Sequence, residues 1–189
     1  MSEGFHVHGP HDHELEHAAH AGDPMSGRIA VMTAIFATIG ALFGYMGGAT
    51  QNDALMFKND SAIRRTEASD QWNFYQAKSS KQNLAELGAV LASGEESARY
   101  KTEVDRYGKE KQEIMAKAQE LERKSTELEA RSEASMHVHH RWAQAMTLIQ
   151  ISIALAAITL LTRSRGLQYV SYGVAAVSIA LGGLAAMHI

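Results

Sequence analysis

The sequence predicts an all-α protein, with three transmembrane helices and a long extramembrane antiparallel helical (coiled-coil) hairpin between spans one and two. Three observations carry that prediction. Three apolar runs are each long enough to cross a bilayer, the stretch between the first two is free of proline and rich in helix formers, and half of that stretch repeats apolar residues at every seventh position.

The chain begins with a polar segment, residues 1–27, that contains FHVHGPHDHELEHAAH. His6, His8, His11, His13, His17 and His20, with Asp12, Glu14 and Glu16 among them, are ligands suited to zinc, copper or nickel. Only His13 with His17 and Glu16 with His20 fall one helical turn apart. The segment has too little apolar content to hold ligands rigidly, so the expected behaviour is that of a flexible tail binding a divalent transition metal weakly. A loading arm for such a metal is the alternative, and no other cofactor is expected.

Residues 28–49 form the first expected span, because IAVMTAIFATIGALFGYMGGA from Ile29 to Ala49 carries no charge and suffices to cross a hydrocarbon core of ~30 Å. It is longer than a signal-peptide core and lies well inside the chain, so it is read as an uncleaved helix. Gly40, Gly44 and Gly48 recur at every fourth residue, a spacing that admits a close helix neighbour. Small residues are also simply common in membrane helices.

Residues 50–141 read as the hairpin, with its turn near 92–96, where Gly94 is a stop signal and Glu95 and Glu96 suit a new helix start. In the second arm Tyr100, Tyr107, Ile114, Leu121 and Leu128 form one heptad row, and Val104, Lys111, Ala118, Ser125 and Ser132 form its weaker companion. In the first arm Ile63, Thr66, Asp70, Asn73, Ala77, Ser80, Leu84, Leu87 and Leu91 alternate spacings of three and four and are assigned to the seam. Arms of about 40 residues would extend on the order of 60 Å. So thin a seam buries little apolar area, which points to further partners, most simply other copies of the chain. Trp72, Phe74 and Tyr75 cannot all share one helix face. They are read either as a contact surface for a second chain or as cover for the sides of a two-helix core.

Residues 142–162 and 166–189 are the second and third spans, joined by a basic turn at 163–165. Trp142 and Tyr169 are placed as interfacial aromatics, and Ser178, Gly182 and Ala186 repeat the four-residue spacing of small residues. Arg28, Arg163 and Arg165 favour a cytoplasmic amino terminus and a periplasmic hairpin, while Lys58, Arg64, Arg65, Arg131 and Arg141 argue the other way. His137, His139 and His140 lie where hairpin and span two meet, as polar anchors or as a pH-responsive group.

Several function classes are excluded. The chain has no cysteine, which removes disulfides, thiolate metal sites and Cys nucleophiles. No phosphate-binding glycine loop or nucleophile elbow is present, and a net charge of −3 gives no basis for nucleic-acid binding. No acidic or basic side chain lies deep in a span to form an ion path.

The segment ASDQWNFYQAKSSK (Ala68 to Lys81), one span before it and a closing pair of spans with a basic turn together resemble the bacterial domain-of-unknown-function family 4337. The resemblance runs from about Glu16 onward. It implies a small bacterial inner-membrane protein and assigns no catalytic residues, because the family has no established activity, and the density of histidines at the start departs from it. The expected function is that of a non-enzymatic scaffold or accessory subunit that contacts membrane lipids, self-associates and joins a larger membrane complex. A metal-handling protein and an oligomeric pore lined by Gln144, Gln150 and threonines are the alternatives.

Overall fold

The computed structural model describes residues 24–187, which form three α-helices. These are α1 (Pro24–Leu91), α2 (Glu95–Thr162) and α3 (Arg165–Ala186). Helices α1 and α2 are 68 residues each and uninterrupted. The chain's two prolines are Pro10 and Pro24, so every α1 residue after Pro24 keeps the N–H that an α-helix needs. All three helices contain a stretch long and apolar enough to cross a membrane.

The two reversals are short. After Leu91 the chain turns through Ala92, Ser93 and Gly94, with Gly94 at φ +64°. The Ser97 hydroxyl donates to the Ala89 carbonyl (2.8 Å) across this turn, satisfying one of the carbonyls that end α1. Glu95 and Glu96 already belong to the first turn of α2, where carboxylates complement the helix dipole. Between α2 and α3 the reversal is Arg163-Ser164, with Arg163 at φ 52°, a left-handed conformation that L side chains adopt only at a cost.

The described residues divide into two compact units, one made from the helices up to Gln51 and from Met136 on, the other from Asn52–Ser135.

In the first unit Ile29, Met32, Phe36 and Phe43 of α1 are buried with Trp142, Ala145, Ile149 and Ala156 of α2 and with Ala175 and Ala185 of α3. The Phe43 and Trp142 rings meet at 5.5 Å. Small residues set the helix spacing. A Cβ on Gly182 would come within 2.5 Å of the Phe43 ring, and one on Gly40 within 3.1 Å of Ile149. The face α3 buries is Ser171, Ala175, Ser178, Gly182 and Ala185.

Two sequence assignments are corrected there. Gly48 is exposed with nothing beside it, and Gly47 takes its place against Trp142 and His139. Ala186 is exposed, and Ala185 is the buried residue. A strict four-residue repeat drifts about 40° per step around a 3.6-residue helix, whereas alternating fours and threes stay on one face.

In the second unit the two segments run antiparallel. Ser61 bonds to Ser125, Ser132 to Ala54 and Ser97 to Ala89, so that facing residues keep one register along the pair, while the long Lys111 side chain reaches Gln82, one heptad beyond the residue it faces. The row that α1 turns inward is Ala54, Ser61, Ala68, Tyr75, Gln82 and Ala89, one residue per heptad, with Ala85 beside it. On α2 the fully buried positions are Ala118, Ser125 and Ser132, while Tyr100, Val104, Tyr107, Ile114, Leu121 and Leu128 flank them half-buried.

Leu84, Leu87 and Leu91 do not lie on this seam: they are 67%, 55% and 75% exposed. Reading the first arm by its largest apolar residues displaces the seam by two positions. Helices pack here on small side chains, which let the backbones approach closely enough for hydroxyl-to-carbonyl bonds.

Candidate functional site

The side chains able to do chemistry or recognition fall into four groups, taken unit by unit.

The first is a polar layer in the second unit, around Tyr75, Lys78, Tyr107, Glu110 and Lys111. Tyr75 and Lys111 occupy facing seam positions, and Tyr107 and Lys78 face each other one turn away. The Lys111 ammonium lies 5.0 Å from the centre of the Tyr75 ring, and Lys78 lies 5.5 Å from that of Tyr107. Arg106 also lies over the Tyr107 ring at 4.8 Å, so Tyr107 has two cations near its ring and Tyr75 has one. Lys78 pairs with Glu110 at 2.5 Å and Lys111 donates to Gln82 at 3.2 Å. The hydrogen bond from Lys78 is the main reason that the Glu110 carboxyl is held below its ordinary range. A layer that pairs only in one alignment penalises slippage of α1 against α2.

The second group is the ion pairs around it. Glu129 takes Lys58 on one oxygen at 2.5 Å and Arg65 on the other at 3.1 Å. The Lys58 hydrogen bond, then its charge and that of Arg65, lower the Glu129 carboxyl. Within α2, Arg123 bonds both oxygens of Glu120, and with Lys124 it lowers that carboxyl to about 2. Glu129 thereby links α2 to α1, whereas Glu120 pairs only within α2.

The aromatic segment is the third. Trp72 and Tyr75 are half-buried and meet edge to face at 5.6 Å, and the Trp72 indole N–H donates to Glu122 at 2.8 Å. Phe74 alone of the three projects outward, 59% exposed. Trp72 also borders an open groove of about 640 Å³ between α1 and α2, with Asn73, Gln76 and Glu122 along it.

The fourth group consists of buried hydroxyls that the sequence patterns did not single out as bonding groups. In the second unit Ser61 and Ser125 exchange bonds, each hydroxyl reaching the other's carbonyl at 2.9 and 3.0 Å. In the first unit Ser171 donates to the Ser152 carbonyl at 2.8 Å and Ser178 to that of Ala145 at 2.6 Å. An apolar setting offers a hydroxyl no water, so each bonds a backbone carbonyl of the neighbouring helix and ties the two together. The signal was present in the sequence as small residues at heptad spacing, but spacing does not reveal which neighbour accepts.

His139 also belongs to the first unit. Its Nδ1 lies 2.8 Å from the Gly47 carbonyl, and because a carbonyl only accepts, Nδ1 carries the proton. The His139 and His140 rings lie 5.7 Å apart, tilted by 52°, and His137 is exposed. Among the described residues no three His, Cys, Asp or Glu side chains gather to hold a metal ion. His6, His8, His11, His13, His17 and His20 lie outside the described residues. Gln144, Thr147 and Gln150 of α2 are exposed, the first two on an open groove with His140 and Leu181.

No curated protein and no solved structure matches the chain. A family model covers residues 25–188, nearly the whole of both units, and the chain therefore belongs to the family described as Domain of unknown function (DUF4337).

Proposed function

We propose that this is a non-enzymatic protein of the bacterial inner membrane that self-associates through its membrane helices and its helical hairpin, as a scaffold or accessory subunit of a larger membrane assembly. One observation carries the reading. All the exposed large apolar side chains of the second unit lie on α1, from Leu55 to Leu91, and α2 contributes none between Glu95 and Ser135. Helix pairs that end their contacts with each other have no reason to segregate apolar surface in this way, and a segregated apolar face marks an interaction site.

The remaining features support the same reading. Three ion pairs of the second unit, Lys58 and Arg65 with Glu129 and Lys78 with Glu110, join α1 to α2 and favour one register. Exposed residues of the first unit such as Val31, Ile35, Leu42, Ile158 and Val177 suit contact with lipid chains. Arg28, Arg163 and Arg165 favour a cytoplasmic amino terminus, with the hairpin in the periplasm.

The test is the mass of the native protein extracted from its membrane in mild detergent and in lipid nanodiscs. The expected result is a discrete multiple of the chain mass, alone or with other subunits. A strict monomer under both conditions would remove the proposal.

A further inference from the structure

The first unit has no Asp or Glu among its described residues, yet it holds Arg28, Arg141, Arg163 and Arg165. Three of the four arginines lie at one end of it. Helix α1 runs antiparallel to α2, with Gly40 against Ile149 and Gly47 against Trp142. Helix α3 also runs antiparallel to α2, with Ser171 bonded to Ser152 and Ser178 to Ala145. Helices α1 and α3 are therefore parallel and begin together. Phe43 packs on Gly182, and counting back seventeen residues along each helix puts Arg165 level with Ser26, within one turn of Arg28. Neither helix has an acidic residue in its first turn, so both dipoles add to the positive potential at this end.

An open groove of about 810 Å³ starts from the same end, lined by Arg28, Val31, Met32, Ile35 and Phe36 of α1 and by Tyr172 of α3. Arg165 stands seven residues before Tyr172 and so shares its face of α3, two turns nearer the helix end. The Tyr172 hydroxyl accepts a bond from the Gln168 amide at 3.3 Å, which leaves its own proton to donate elsewhere. Resting on the membrane location proposed above, though not on self-association, we infer that this groove holds one anionic glycerophospholipid. Its phosphate sits between Arg28 and Arg165, an ester oxygen accepts from Tyr172, and an acyl chain lies along Val31, Ile35 and Phe36. Charge and order select this occupant. Going inward from the helix ends the groove presents cations, then the phenol, then Ile35 and Phe36, which is the sequence of phosphate, ester and hydrocarbon in such a lipid. A guanidinium gives a phosphate two parallel donors, and arginines with no carboxylate in their unit favour a lipid of net negative charge over one whose headgroup brings its own ammonium. A soluble phosphate would leave the apolar lining uncovered.

The full chain in mild detergent would be titrated with phosphatidylglycerol, with phosphatidylcholine of the same acyl chains, or with glycerol phosphate, and the bound species counted by native mass spectrometry. One phosphatidylglycerol per chain should stay bound, at least about fivefold more than phosphatidylcholine, and glycerol phosphate should not. Arg28→Gln with Arg165→Gln should lower phosphatidylglycerol retention about tenfold. Ile35→Trp, which fills the groove without changing charge, should lower it by a similar factor. Arg141→Gln, at the opposite end of the unit, should leave it unchanged.

Equal retention of the two lipids would overturn the inference, as would a loss on Arg141→Gln as large as that on the double arginine variant. Glycerol phosphate bound as well as the lipid would overturn it in favour of a soluble anion. Retention of phosphatidylglycerol only after residues 2–22 are deleted would overturn it by giving the groove to the amino-terminal segment. Recovery of the chain from cells without detergent would remove the membrane location and the inference with it. A monomer that keeps the selective lipid would support the inference while removing self-association.

Discussion

A single methyl group added to Gly182 would have to displace the Phe43 ring, 2.5 Å from where its Cβ would stand. Gly182→Ala is therefore expected to destabilise the first unit by about 1–3 kcal/mol, the usual cost of overpacking. Gly48→Ala, with nothing within 4 Å, should change stability by less than about 0.5 kcal/mol. Thermal melts followed by circular dichroism in mild detergent distinguish the two, and equal effects would contradict the assignment of Gly182 to a packed face and Gly48 to an open one. Gly94 illustrates a different cause. It has open space around it but sits at φ +64°, so Gly94→Ala should cost about 1 kcal/mol through the backbone alone. The Ser61 and Ser125 pair shows how shared hydrogen bonds behave. Each substitution to alanine should cost about 1 kcal/mol, and the double variant less than the two singles together, because they share one bond network. Additivity in that double-mutant cycle would show that the two hydroxyls act independently.

At the scale of the elements, α1 and α2 are held by a thin seam of small residues reinforced by polar contacts, and those contacts respond to pH. The Glu110, Glu120 and Glu129 carboxyls titrate lower in the folded chain than in the unfolded one, because of Lys78, Arg123 and Lys58 respectively. Their stabilisation is thus fully present above the unfolded glutamate value near ~4.3 and lost as pH falls through the folded values, which for Glu120 is about 2. Melting temperature should fall as pH drops from about 4.5 toward 2, and Glu129→Gln should flatten part of that slope. All three carboxylates are partly exposed, so added salt should weaken the same dependence, least for Glu110, whose Lys78-paired oxygen is buried. A slope that Glu129→Gln and salt both leave unchanged would assign the acid response elsewhere.

The same scale shows how far the sequence was legible. Heptad repetition in α1 was visible, and Ile63, Leu84, Leu87 and Leu91 do share a face. Periodicity alone does not say what a face meets, and this one points away from α2 because the small residues Ala54, Ser61 and Ala68 take the closer approach. On α2 the two rows were both recognised, but the weaker one, Ala118, Ser125 and Ser132, is the more deeply buried. The aromatic segment was recognised as unable to share one face, and the structure assigns its members: Trp72 to Glu122, Tyr75 to Lys111, Phe74 outward.

For the whole molecule, the uneven distribution of apolar surface in the second unit has a measurable consequence. A segment comprising 52–135 should gain helicity and melting temperature with increasing concentration, because its outer α1 face gains a partner by mass action. Leu84→Glu with Leu87→Glu should abolish that dependence while leaving the α1 and α2 seam intact, since neither residue touches it. Concentration-independent melting of the unsubstituted segment would place the partner of this face outside the chain itself.

Composition and periodicity were enough to indicate an all-helical chain with three apolar stretches of bilayer length, because these depend on local preferences, proline-free runs and charge-free segments. They did not indicate that the first span and first arm, and the second arm and second span, run on as single 68-residue helices. The choice between competing faces was settled only by tertiary structure. Gly47 over Gly48, Ala185 over Ala186 and the small row over the leucine row are decided by how close two backbones can come, and closeness is a property of pairs of helices that no single stretch of sequence contains.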